Sequence, residues 1–258
     1  MRGSRTAGGR SVRWLALLAI CLAAACGSAS ARPRPSPPPS SDQALGQVLV
    51  HLPKKHGPVG VVVLHSFEHG PAELVAQGWS AAADRHGFVA IYPTRGSAWN
   101  AGDCCGAAAR TGRDDVGWLT GEIHAVAARY ALTTIYLAGD SDGGMMVERL
   151  VAQAPSVSQR FAVWGSAPEW TQVSSWSGTG YLFHGAHDGA VPLGGGTVRI
   201  ADQTFHINPS SDTRRNLPRA HLTFATFATL GHSPPPDWPE IAWQALQSGR
   251  LPAAAEPS

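Results

Sequence analysis

The sequence lacks a hydrophobic run of bilayer-spanning length: the N-terminal apolar stretch, residues 14–25, covers about a dozen residues where roughly 20 are needed. A spanning anchor is therefore not expected. Four arginines precede that stretch and small residues follow it, the layout of a secretory signal over residues 1–25. Cysteine is scarce as well, with four residues: Cys21 and Cys26 in or beside the signal, and the adjacent pair Cys104 and Cys105. Charge of one sign is also missing. The formal charge of +2 becomes −2 once residues 1–25 leave, because twenty cations lose four arginines against eighteen unchanged acids. Nucleic acid is therefore not an expected partner.

Nor is there an internal repeat or a second linker. The one linker, "ARPRPSPPPSS", closes a segment, 26–41, that reads as a semi-extended polyproline II spacer. "LAAAC" ending at Cys26 is a candidate lipidation site, and "ASA" at 29–31 offers ordinary signal cleavage instead. Either route exports the chain to the cell surface or beyond, with a lipid anchor as its only membrane contact. What remains is one globular domain over 42–252 and a short tail, 253–258; 43% hydrophobic residues suffice for its core despite 29 glycines and 20 prolines.

Within that domain, "QVLVHL", "VGVVVLH", "FVAIYP", "TTIYLAG", "RFAVWG", "GYLFHG" and "HLTFATFAT" are short apolar, β-branched or aromatic runs, as strands require. Helical stretches lie between them: 71–87, 113–130, 143–154 and 238–247. Strands apolar throughout, alternating with helices, predict an α/β fold with a mostly parallel sheet covered on both faces. Chemistry is then expected at the carboxyl ends of the strands.

"GDSDG", residues 139–143, falls between the strand "TTIYLAG" and a helix. Its G-x-S-x-G pattern in that context makes Ser141 the candidate nucleophile on a strained turn, with small neighbours because larger side chains would clash. A calcium loop starting at Asp140 fails on spacing, since Met145 stands where glycine is needed and Val151 where a glutamate is needed. A serine needs a histidine to take its proton and an acid to orient that histidine. Asp188 and His232 each directly follow a strand, in the required chain order.

Asp212 and Asp237 are the substitute acids, and His221 lies at the wrong end of its strand. His184 and His187 beside Asp188 bring no third ligand cluster, so no metal is expected. The oxyanion donors expected are the backbone N–H of Asp142 and that of Phe67 or Ser66 in the loop after the strand "VVVLH". Asp114 and Asp115 read as helix caps. Trp170 and Trp176 either reach a substrate groove or pack inside.

These residues, with "WSAAADRHGFVAIYP", "WNAGDCCG", "DDVGWL", "GDSDGGMM", "HGAHDGAVP" and "GHSPPPDWP", resemble α/β-hydrolases of the polyhydroxybutyrate depolymerase and feruloyl esterase type over about 59–246. The resemblance implies a triad of Ser141, Asp188 and His232 and no cofactor. It departs at Ser66, where the family has glycine, and at the acids flanking Ser141, which disfavour anionic substrates unless they face solvent or are neutralised. The 47 residues from Ser141 to Asp188 leave no room for a large lid.

Cys104 and Cys105 match a family motif and are read as a rigid loop element. A vicinal disulfide between them is the candidate bond, with the usual Cα spacing of about 3.8 Å taken as a source of strain. The expected activity is hydrolysis of carboxylic esters, polymeric ones included: a hydroxyalkanoate polyester, a feruloyl or acetyl ester on polysaccharide, or a short acyl ester. The alternative is a surface-tethered binding protein that keeps the fold without turnover.

Overall fold

The computed structural model describes residues 42–200, 202–253 and 256–257. The expected leader, the lipidation site Cys26 and the spacer all lie outside these residues. β1 (Asp42–Leu45) and β2 (Val48–His51) form a hairpin, and β3 (Val59–Leu64) begins the parallel part of the sheet. The helix expected over 71–87 is two helices, α1 (Pro71–Ala76) and α2 (Trp79–His86). Gly78 separates them at φ +98, a conformation that a side chain would oppose. After them come β4 (Val89–Pro93), a short α3 (Gly106–Arg110), and α4 (Asp115–Arg129), which Asp114 caps by accepting from the Gly117 N–H at 2.8 Å.

β5 (Thr134–Asp140) runs into α5 (Asp142–Gln153), followed by β6 (Arg160–Trp164) and β7 (Thr179–Gly185). Then come two elements that the sequence reading did not find, the antiparallel pair β8 (Gly196–Ile200) and β9 (Gln203–Ile207). α6 (Thr213–Asn216), β10 (His221–Phe227), α7 (Trp238–Ser248) and β11 (Glu256–Pro257) complete the chain. β11 pairs with β10, so part of the expected tail belongs to the sheet.

The large sheet has nine strands in the order β1-β2-β4-β3-β5-β6-β7-β10-β11. Its centre, from β4 to β10, is parallel, and the outer pairings are antiparallel. The period of two along β3 shows why both faces need helices. Val62 and Leu64 point to a core with Leu119 and Ile123 of α4 and Met146 and Leu150 of α5. Val61 and Val63 point to the other core, with Leu74, Trp79 and the Trp238 and Leu246 of α7. All of these side chains are essentially inaccessible to water. The carboxyl ends of β5, β7 and β10 thereby lie along one edge of the sheet, with β6 between β5 and β7, held from both faces.

Candidate active site

Ser141 sits at the junction of β5 and α5 with φ 54 and ψ −126, a backbone conformation costly for a residue with a side chain. The junction is tight. A Cβ on Gly139 would lie 2.7 Å from the Gly143 backbone, and one on Gly144 would lie 2.8 Å from the Ser166 side chain. The Ser141 N–H donates to the Trp164 carbonyl at 2.9 Å, tying the turn to the end of β6.

His232 lies in the loop after β10, with its Nε2 2.9 Å from Ser141 Oγ and its Nδ1 2.8 Å from Asp188 Oδ2. With Nδ1–H donating to the carboxylate, Nε2 is left to accept from the serine hydroxyl. The other carboxylate oxygen, Oδ1 of Asp188, accepts from the N–H groups of Ala190 and Val191 at 2.9 and 2.7 Å. Burial works to raise the Asp188 carboxyl. Hydrogen bonds from His184 and His232, the imidazole charge of His232 and the Val191 amide outweigh it, holding the carboxyl well below the usual range.

Ser141 and His232 open onto a cavity of about 260 Å³. Phe67, Met145, Val191 and Ile200 give it an apolar side. Cys104 and Cys105 form another part of the wall, and Glu68, His69 and Glu73 an acidic one.

No protein-family model matches the chain. Among curated proteins it is 29% identical over 205 residues to the bifunctional acetylxylan esterase/xylanase XynS20E of Neocallimastix patriciarum, a match covering 74% of this chain and 29% of that protein. The chain thus spans less than a third of that relative's length. Among solved structures, YahD with malic acid aligns at a TM-score of 0.55 with 14% identity, covering 79% of this chain and 98% of that one. A Bacillus cereus carboxylesterase aligns at 0.54 with 10% identity, covering 75% and 92%. The chain has the α/β-hydrolase fold.

In an α/β-hydrolase the residue after the nucleophile contributes its N–H to the oxyanion hole, together with an N–H from the loop after β3. Asp142 opens α5 here, as expected. Of the two loop candidates, Ser66 donates its N–H to Glu73 Oε2 at 3.1 Å. Phe67, the other loop candidate, borders the cavity.

The acids flanking Ser141 do not face solvent. Asp142 is wholly buried and its Oδ2 accepts from the Trp99 N–H at 2.8 Å. Burial pushes its carboxyl well above the usual value, with the Trp99 hydrogen bond opposing. Asp140, 3% exposed, is pushed up to about 6 by burial, against hydrogen bonds from Ser66 and Gln77. Both are thereby driven toward the neutral acid, which lowers the negative charge beside Ser141.

Cys104 and Cys105 form a vicinal disulfide, and the peptide between them is cis, with Cα atoms 3.1 Å apart, rather than trans at the spacing the sequence reading assumed. Among the described residues, the pair and Asp142 are the one His/Cys/Asp/Glu group compact enough for a metal ion, but the sulfurs are bonded to each other. Asp115 is no cap: it is buried, ion-paired to Arg113 and accepts from the Asn100 N–H at 2.8 Å, fixing the loop that carries the disulfide.

Trp176 packs inside, stacked on Phe161 with its N–H donating to the Ser158 carbonyl. Trp170 is buried as well and does not border the cavity. Asp212 pairs with Arg215 and Asp237 precedes α7, both away from the cavity lining. His221 is exposed at the start of β10 and His187 is exposed beside Asp188. His184 is buried and its Nε2 lies 2.7 Å from the Val191 carbonyl and 3.3 Å from Asp188 Oδ2.

Three participants escaped the sequence reading. Glu73, on the first turn of α1, anchors the loop after β3, and its i,i+4 spacing from His69 was the available sign. Gly165, at φ +54, leaves room for the acid and histidine, since a Cβ there would be 3.1 Å from Asp188 Oδ2 and 3.3 Å from His232 Nδ1. Ile200 reaches the cavity from the β8–β9 hairpin.

Proposed function

We propose that the chain is an exported serine esterase that hydrolyses carboxylic esters through an acyl-enzyme. The hydrogen-bonded line from Ser141 Oγ through His232 to Asp188, opening on a cavity, is the observation that carries this reading. His232 Nε2 takes the hydroxyl proton as Ser141 Oγ attacks the acyl carbon, and the Asp188 carboxylate stabilises the imidazolium. The N–H groups of Asp142 and Phe67 receive the oxyanion. The imidazolium then protonates the departing alcohol, and a water activated by the same imidazole releases the acid.

The relative's acetylxylan esterase activity and the resemblance to polyhydroxybutyrate depolymerases and feruloyl esterases both favour an ester substrate. The cavity volume favours a short acyl group, and Glu68 and Glu73 favour an uncharged one. Acetyl or other short acyl esters, with the alcohol side open to a polymer, are the substrates we infer. Residues 1–25 are read as the export signal, 26–41 as a spacer and Cys26 as a lipid attachment point.

Labelling by a fluorophosphonate probe and turnover of p-nitrophenyl esters test the reading. Wild type is expected to label and to turn over acetate and butyrate esters, and Ser141→Ala to do neither. Equal silence of both proteins would leave a binding protein on a hydrolase fold. Loss of membrane association and of lipid label in Cys26→Ala tests the anchor.

A further inference from the structure

The hydroxyl of Ser66 stands between two carboxyl groups. Its Oγ lies 2.7 Å from Asp140 Oδ2 and 3.1 Å from Glu73 Oε1. A serine hydroxyl carries one hydrogen and donates one bond, while its lone pairs accept others. If both carboxyls were ionised, the hydroxyl would satisfy one and leave the other oxygen facing its lone pairs. A proton on either carboxyl removes that conflict, because the protonated oxygen donates to Ser66 Oγ while the hydroxyl donates onward to its partner. Two carboxyls, one hydroxyl and one extra proton satisfy both contacts.

The same three residues hold the loop after β3. Glu73 Oε2 accepts the Ser66 N–H, so this carboxylate grips residue 66 at both backbone and side chain. Asp140 is joined to Ser141 in the chain, and it grips Ser66 from the other side. The nucleophile turn and the loop carrying the Phe67 N–H are therefore coupled through one hydroxyl. Other polar groups face this cluster. Gln77 donates to Asp140 Oδ2 at 3.3 Å, and His69 Nδ1 lies 3.6 Å from Glu73 Oε1. Glu68 borders the same cavity, and the positive form of His232 favours an ionised Asp140. The ring of His65, at hydrogen-bond distance from the Ser66 carbonyl through Nδ1, is kept toward its neutral form by burial.

Resting on the esterase reading, we infer that Ser66, Glu73 and Asp140 are positioning residues that share a single proton, and that this one-proton state holds the Phe67 amide at the oxyanion. Asp140 is the member whose proton burial favours, with its carboxyl pushed up to about 6. Once that proton leaves, two negative groups meet at one hydroxyl. Glu73 is the more exposed, at 18% of its side chain, and it is the one free to turn away, releasing the Ser66 N–H and with it the loop.

The test is the pH dependence of kcat and KM for p-nitrophenyl acetate in wild type, Ser66→Ala, Glu73→Gln and Asp140→Asn. Ser66→Ala and Glu73→Gln are expected to lose about 10-fold or more in kcat with KM within about 2-fold, since an oxyanion donor acts mainly in the transition state. Asp140→Asn keeps a donor for Ser66 Oγ, so its loss in kcat is expected to be smaller than that of Ser66→Ala or Glu73→Gln. It should also lack the decline in kcat expected of wild type as the pair loses its proton.

Infrared difference spectra between pH 5 and pH 8 read the proton without turnover. Wild type is expected to lose more protonated-carboxyl absorbance than Asp140→Asn, the excess belonging to Asp140 and the remainder to other buried acids such as Glu148 that both proteins share. Wild-type kcat in both Ser66→Ala and Glu73→Gln would overturn the inference, as would an unchanged alkaline decline in Asp140→Asn or the absence of the infrared difference. Silent wild-type turnover and labelling would instead remove the esterase reading, with the infrared result still deciding whether the proton is shared.

Discussion

The indole Nε1–H of Trp164 donates to the backbone carbonyl of His232 at 2.7 Å, so the last residue of β6 holds the loop that carries the imidazole. The indole is itself fixed, packed against Trp238 and Phe227 with no exposure to water. Trp164→Phe keeps an aromatic ring in the core and removes the donor. It is expected to cost about 1 kcal/mol in urea unfolding. A larger relative loss is expected in kcat, about 10-fold with KM little changed, because a shift well under 1 Å in His232 disturbs both of its hydrogen bonds. Unchanged kcat in a folded variant would show that this bond does not position the imidazole.

Gly165→Ala tests the same corner from the opposite side. The backbone there has φ +54, and the added methyl would press on Asp188 Oδ2 and His232 Nδ1. Strain of about 1 kcal/mol or more is expected from the backbone alone. The contact pushes the acid and imidazole apart, so kcat is expected to fall by at least about 10-fold, read with the same p-nitrophenyl ester assay.

The central strands were legible because parallel strands buried on both faces read as near-continuous apolar runs, as in "VGVVVL" and the buried end of "TTIYLAG". Ser141 is marked by G-x-S-x-G between a strand and a helix, and Asp188 and His232 by directly following strands; the three meet in space because β5, β7 and β10 end at the same edge. The β8–β9 hairpin was not legible. Its exposed residues alternate with half-buried ones in β8 and with half-buried or buried ones in β9, and the "GGG" that leads into it reads as loop. The commitment of the Ser66 amide to Glu73 depends on how α1 sits beside the sheet, which no local pattern encodes. The burial of Asp140 and Asp142 was equally hidden, since an acid in a turn between strand and helix ordinarily faces water.

Glu148 makes the stability of the fold depend on pH. It lies wholly buried on α5, accepting from Ser166 Oγ at 2.7 Å and Thr213 Oγ1 at 2.6 Å. Burial, against those two hydrogen bonds, pushes its carboxyl up to about 7. For an acid raised in the folded state, the stability it contributes is complete below its ordinary value and is lost as pH rises through 7. That loss is roughly 2 to 3 kcal/mol between pH 5 and pH 8. Glu148→Gln removes this share, so urea unfolding at the two pH values should show a smaller difference in the variant. Asp188, held low, acts in the opposite sense and loses its contribution only in strong acid. A variant with the same pH dependence as wild type would mean that Glu148 ionises freely in the folded protein.

The Cys104–Cys105 bond closes so small a loop that its effect on the unfolded chain is slight, about 1 kcal/mol in the chain-entropy account. Its position is the stronger argument for what it does. The pair forms part of the cavity wall on a loop tied down by Asp115 and Arg113, and Asn100 of that loop is bonded in turn by Arg149. Cys104→Ser with Cys105→Ser should therefore leave the unfolding midpoint nearly unchanged and raise KM for short acyl esters several-fold, as the wall loosens while Ser141, His232 and Asp188 stay in place. Incubating wild type with a dithiol under native conditions should give the same change in KM, reversed on reoxidation. A fall in kcat at constant KM would instead place the disulfide among the supports of the reacting groups, and an unchanged KM would remove it from the substrate surface.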